Sequence, residues 1–143
     1  MPFKKFKIGA CPEIKKRPSD VYDYDSNVIL AEPMKNRSDA EALRAYEVSI
    51  KLLISRGLRP KLQGLDNEAS EALKKYLGEE QGIDYQLAPP GMHRRNAAER
   101  AIRTYKNHFT AGLCSTDPTF PMHLWCRLVQ QSNITLNLLR ASR

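Results

Sequence analysis

The chain has 143 residues, of which 41% are hydrophobic and 27% charged, with a net charge of +7 and a mean hydropathy of −0.54. These values predict one folded domain. They argue against a disordered chain and against a membrane protein, because no run approaches the ~20 apolar residues that a spanning helix needs. The lysine-rich N-terminus lacks the apolar run of a secretory signal, so we expect an intracellular protein, nuclear or cytoplasmic.

The positive charge is concentrated in two segments. Residues 1–20 contain six lysines and arginines against two acidic residues, and residues 94–106 contain five against Glu99 alone. Localised positive charge favours contact with nucleic acid phosphates. A basic tail together with one solvated helix face explains the same charge about equally well.

The first half of the chain contains predicted strands and one well-marked helix. Residues 1–20 are basic, contain three prolines and have no sustained apolar period, so we expect a loosely structured lead-in before a domain over residues 21–143. Residues 21–31 are rich in β-branched and aromatic side chains and predict one long strand or a hairpin. A capping box that starts at Ser38 predicts a helix ending near Gly57.

The second half continues the alternation. The pattern predicts strands over residues 61–65 and 83–87, with a helix over residues 68–77 between them. Two longer helices are predicted over residues 96–112 and 121–139, with Glu99, Arg103 and Lys106 on the exposed face of the first. This order of elements predicts an α/β fold, a mixed sheet covered by helices.

Two carboxylates stand out as candidate functional groups. Asp66 follows a predicted strand at its C-terminal end, where α/β sheets place ligand sites, although taken alone it is more often a helix N-cap. Glu99 lies in the first turn of a long helix, and its alternative role is an ion pair with Arg103. Carboxylates beside an arginine cluster suit divalent cations and phosphates together, which is the chemistry of phosphoryl transfer.

In this order, the segments of the chain resemble the integrase catalytic cores of retroviruses and copia-like retrotransposons over roughly residues 21–139. Residues 23–33 resemble the second strand of that family. Leu65-Asp66-Asn67 resembles its second catalytic aspartate, and Asn96-Ala97-Ala98-Glu99-Arg100 resembles its catalytic-glutamate helix. Between Asp66 and Glu99 lie 32 residues, slightly fewer than is usual in the family.

The resemblance implies a ribonuclease-H-like fold and DNA integration by metal-dependent strand transfer. It implies Asp66 and Glu99 as catalytic residues and as ligands of Mg²⁺ or Mn²⁺, two of the three acids of a DDE motif. It also implies DNA as the partner, with a possible homo-oligomer. The residues implied for DNA contact are Arg94, Arg95, Asn96, Arg103 and Lys106.

The chain departs from the family pattern at two places. Glu68 stands where the family usually has glycine. The first catalytic aspartate of the family lies on an earlier strand, and residues 1–12 contain no acidic residue, so we expect a core that is incomplete at both ends and lacks its first strand. Asp20 falls in a stretch without a strand pattern. Strand alternation would put Asp23 and Asp25 on one face, so one of them could substitute.

Three functions therefore stay open. The first is an integrase-core fragment whose parent joins DNA ends to target DNA. The second is a catalytically inactive remnant that binds nucleic acid through its basic helix. The third is another ribonuclease-H-like transposase or nuclease. Whether the chain is an enzyme depends on a third carboxylate.

Overall fold

The structure is a computed structural model that describes residues 19–65, 69–88 and 97–141. Strands β1 (Ser19–Tyr22) and β2 (Ile29–Glu32) form an antiparallel hairpin. The hairpin forms instead of one long strand because Asp23 accepts hydrogen bonds from the backbone and hydroxyl of Ser26, and Asn27 adopts a left-handed φ of 62°. Within the described ranges no helix is long and apolar enough to cross a membrane.

The start of β1 corrects one prediction. Ser19 and Asp20 pair with Glu32 and Ala31, so ordered structure begins before Val21. A loosely structured lead-in is therefore wrong for these two residues, because pairing with β2 stabilises a strand that the local pattern does not mark. The rest of that lead-in lies outside the described residues.

Helix α1 (Asp39–Ser55) begins where the capping box predicts. The hydroxyl of Ser38 accepts a hydrogen bond from the backbone N–H of Glu41 at 3.3 Å. The carboxylate of Glu41 does not return to Ser38 but bonds Arg44, so only half of the capping box forms. The chain leaves the helix through Gly57, whose φ of 81° disfavours any residue with a Cβ.

A parallel pair of strands follows, β3 (Leu62–Leu65) and β4 (Asp84–Leu87). The segment between them contains helix α2 (Glu71–Lys75), capped by Ser70, which continues as a π-helical turn (Tyr76–Gln81). The predicted helix over residues 68–77 therefore begins only at Glu71, and its α-helical part ends at Lys75, where the π-helical turn follows. Ala72 of α2 is exposed.

Helices α3 (Ala97–Cys114) and α4 (Trp125–Leu138) pack against each other, and a 3-10 turn (Met122–Leu124) leads into α4. The hydroxyl of Tyr105 donates to the carbonyl of Val129 at 3.3 Å, and both residues are buried. Leu138 and Leu139, at the C-terminal end of α4, are 78% and 80% exposed.

The hairpin lies between two hydrophobic clusters. Val21 and Leu30 face α1 and share a cluster with Leu65 of β3. Ile29 and Ala31 face the other way, toward α3 and α4. Antiparallel and parallel pairing are thus both present, as predicted for a mixed sheet. Among the described residues, however, they form two separate two-stranded sheets, so each of the four strands has one edge without a strand partner.

The outer edge of β2 is closed by two asparagine side chains of α4. The amide of Asn137 accepts from the N–H of Ile29 at 2.9 Å and donates to its carbonyl at 2.7 Å. Asn133 does the same with Ala31 at 3.0 and 2.9 Å. Four helical residues rise about 6 Å and two strand residues about 6.6 Å, so the two amides match alternate residues of the strand.

Candidate metal and nucleic-acid site

The exposed face of α3 has the predicted composition. Ala101 and Tyr105 are buried, which turns Glu99, Arg103 and Lys106 toward solvent. Glu99 is in the first turn of the helix. Of the ion pairs formed between described residues, none joins Glu99 to Arg103. The alternative role of Glu99, an ion pair with Arg103, is therefore not observed.

The other predicted site residues lie outside the described ranges. They are Asp66, Arg94, Arg95 and Asn96. In the described range strand β3 ends at the buried Leu65, the residue that precedes Asp66 in the sequence. The approach of Asp66 to Glu99 and the DNA contacts of the Arg94–Asn96 segment remain predictions.

Asp23 and Asp25 do not lie on a strand. Because β1 ends at Tyr22, both belong to the hairpin turn, so the alternation that was expected to place them on one face does not apply. Oδ2 of Asp23 is occupied by Ser26, and Asp25 is exposed to solvent. Neither geometry resembles a carboxylate held on a strand beside Glu99.

Asp20 is a carboxylate whose position the sequence pattern did not reveal. Its Oδ1 is buried and has no hydrogen-bond partner among the described residues. Burial raises its pKa to about 7, and the nearby Lys106 opposes this rise. Asp20 thus interacts electrostatically with Tyr105 and Lys106, which follow Glu99 by six and seven residues along α3.

We expect Asp20 to make stability fall with pH. With a folded-state pKa raised from 3.8 to about 7, the folded protein keeps a proton that the unfolded chain releases, so stability declines between about pH 4 and 7. In urea unfolding, Asp20→Asn should flatten this decline and raise the free energy of unfolding at pH 8 by on the order of 1–3 kcal/mol. The exposed Asp25→Asn is the matched control. If the free energy of unfolding of the Asp20→Asn variant falls with pH as steeply as that of the wild type, Asp20 is not the cause of the decline.

The described ranges contain no group of three His, Cys, Asp or Glu side chains that could hold a metal ion. The donor chemistry at the predicted site nevertheless suits a hard cation. The carboxylate of Glu99 faces solvent without an ion pair among the described residues, and Asp66 would add a second oxygen donor.

The elements, in this order, form a ribonuclease-H-like α/β fold, the fold of retroviral integrase catalytic cores. The chain is similar to two solved structures of the HTLV-2 integrase catalytic core domain in complex with magnesium. The dimeric form has a TM-score of 0.60 and 21% identity, covering 83% of this chain and 71% of that one. The trimeric form has a TM-score of 0.60 and 17% identity, covering 87% and 84%.

No protein-family model matches the sequence, and no curated protein is similar to it in sequence. At these identities the likeness to the HTLV-2 domain shows the fold. The predicted integrase-core-like domain is thus confirmed at the level of its fold.

Proposed function

We propose that the chain is an integrase-core-like domain that binds DNA through the basic face of α3 and holds a divalent cation with Asp66 and Glu99. One observation carries this proposal. Glu99, Arg103 and Lys106 share the exposed face of a long helix in a fold whose structural neighbours include integrase cores solved with magnesium.

The basic face suits phosphate contacts. Arg103 and Lys106 are exposed and make no ion pair with any described residue, although Lys106 interacts electrostatically with the buried Asp20. Arginine offers a planar pair of donors that matches phosphate oxygens, and lysine adds a mobile charge. Arg94, Arg95 and Asn96 precede this helix in the sequence and extend the proposed contact surface.

Because Glu99 lies on the same face as Arg103 and Lys106, we propose that metal binding at Glu99 favours DNA binding by this face. A carboxylate within a basic face repels phosphate unless a cation neutralises it. Asp66 and Glu99 would supply oxygen ligands to Mg²⁺ or Mn²⁺, which keep several waters and polarise phosphoryl oxygens when bound. The HTLV-2 domain was solved in dimeric and trimeric forms, and we include self-association in the proposal.

A second candidate is a domain that binds DNA without catalysing strand transfer. The observation that favours it concerns the third carboxylate. Asp20 is buried beside Lys106, and Asp23 and Asp25 belong to a turn. We propose this as the better description of the chain as it stands, with the integrase core as the type of domain it derives from. A different ribonuclease-H-like transposase or nuclease would share the fold but not the integrase-like segments.

The salt dependence of DNA binding tests the proposal. Each neutralised phosphate contributes about −0.9 to the slope of log K against log salt on duplex DNA. Replacing Arg94, Arg95 and Arg103 with alanine should therefore make the slope shallower by about 2.7, with little dependence on DNA sequence.

The matched control removes three arginines from elsewhere, the exposed Arg56, Arg59 and Arg127. Its slope should stay close to that of the wild type in fluorescence anisotropy titrations. If both triple variants reduce the slope equally, the binding comes from overall charge and the α3 face has no special role.

A further inference from the structure

A polar cavity of about 210 Å³ lies between the hairpin turn and the N-terminal half of α3. Its charged lining residues are Arg100 and Arg140, and none of the described residues that line it is acidic. Tyr22 and Thr104 complete the polar part of the wall. Two positive charges facing one cavity without a counter-charge favour an anionic ligand.

The position of Arg140 is set by the turn. Its Nε donates to the carbonyl of Asn27 at 2.9 Å, and its Nη2 donates to Oδ1 of the same residue. Tyr22 also donates to that Oδ1, at 3.1 Å. A guanidinium group has five N–H donors, so three donors of Arg140 have no partner among the described residues. The turn thus orients one guanidinium group in advance, which lowers the entropic cost of binding.

Arg100 supplies the second group from the helix. Its side chain makes no hydrogen bond or ion pair with another described residue, so within the described part of the chain its five donors are open to a ligand. The cavity also touches Ala97, the first residue of α3, where the helix dipole favours negative charge. Paired guanidinium groups are the side chains that bind phosphate oxygens most effectively.

The cavity is smaller than the ~300–1,000 Å³ typical of sites for drug-sized ligands, so it suits a single anionic group. We propose that this pocket, formed by Arg100, Arg140 and the turn at Asn27, binds one phosphate group. The inference goes beyond the proposed function, because Arg100 and Arg140 belong to neither the predicted metal ligands nor the predicted DNA contacts. The phosphate is either a free ion or one phosphate of a nucleic acid strand.

The experiment is a titration of the full chain with inorganic phosphate at constant ionic strength, followed by amide chemical shifts and by calorimetry. Saturable binding is expected, with the largest shifts around Asn27 and Ala101. Arg100→Ala should weaken it roughly tenfold or more, as expected for the loss of charge-assisted hydrogen bonds. Arg127→Ala, an exposed arginine on α4, removes the same charge and should leave binding within about twofold.

A short DNA duplex then distinguishes the two sources. Displacement of bound phosphate by the duplex assigns the pocket to a strand phosphate, and simultaneous binding assigns it to the free ion. Absence of saturable phosphate binding by the wild type would overturn the proposed phosphate site. An equal loss of phosphate affinity in the Arg100→Ala and Arg127→Ala variants would overturn it as well. Because the first titration contains no DNA, its failure says nothing against DNA binding by the α3 face.

Discussion

Replacing both Asn133 and Asn137 with alanine is expected to lower the free energy of unfolding by on the order of 3–6 kcal/mol. Four backbone groups of β2, the N–H and carbonyl of Ile29 and of Ala31, would lose their partners. A fully buried polar group left without a partner costs about 1–3 kcal/mol, and because these four hydrogen bonds are part-buried the lower end of that range applies to each. The loss is large against a typical domain stability of about 5–15 kcal/mol.

Helix propensity alone would predict the opposite sign, so a loss of stability in the double variant is evidence for the hydrogen bonds to β2. Alanine is a better helix former than asparagine, so an exposed Asn→Ala change in a helix should be neutral or slightly stabilising. Asn107 on α3 is exposed and serves as the control. Asn137→Asp should also destabilise, because a carboxylate cannot donate to the carbonyl of Ile29. Equal urea midpoints for the double variant and Asn107→Ala would show that the amides do not support the strand.

The sequence predicted the elements whose causes are local. Ser38 caps α1 because its hydroxyl reaches an N–H three residues ahead, and Gly57 ends that helix because it tolerates a positive φ. The faces of α3 follow from helical periodicity alone, which is why the exposure of Glu99, Arg103 and Lys106 was predicted correctly. Such features need no knowledge of distant parts of the chain.

The features that the sequence did not predict depend on tertiary partners. Asn133 and Asn137 look like ordinary polar positions of a helix until β2 is placed beside them. The strand at Ser19 and Asp20 has a weak local pattern and exists through pairing with β2. Side chains alternate along a strand, so Asp20 and Tyr22 lie on the face of β1 that is turned away from α1, whereas Val21 faces α1. This alternation is the signal that could have located Asp20.

The candidate site was predictable to a similar degree. Glu99 could be placed on its helix face by periodicity, whereas the position of Asp66 stays a prediction because it lies outside the described residues. The sequence did not identify the third carboxylate, because the argument from alternation required that Asp23 and Asp25 continue a strand. A left-handed residue at Asn27 and the hydrogen bonds of Ser26 turn the chain there instead.

The second large effect concerns catalysis. Given Mg²⁺ or Mn²⁺ and a DNA end, the chain is expected to produce no more than trace strand transfer while still binding DNA. Fast phosphodiester displacement requires that the attacking and leaving oxygens are stabilised together. Asp66 and Glu99 provide two carboxylates, and the loss of one stabilising group typically lowers the rate by about 10²–10³-fold.

The most direct test measures DNA binding and strand transfer on one preparation of the wild type, alongside Glu99→Gln. The expected result is salt-dependent DNA binding by both proteins, with no more product from the wild type than from the Glu99→Gln background. Metal-dependent strand transfer by the wild type that Glu99→Gln abolishes would contradict the account, and would mean that Asp20, Asp23 or Asp25 completes the site.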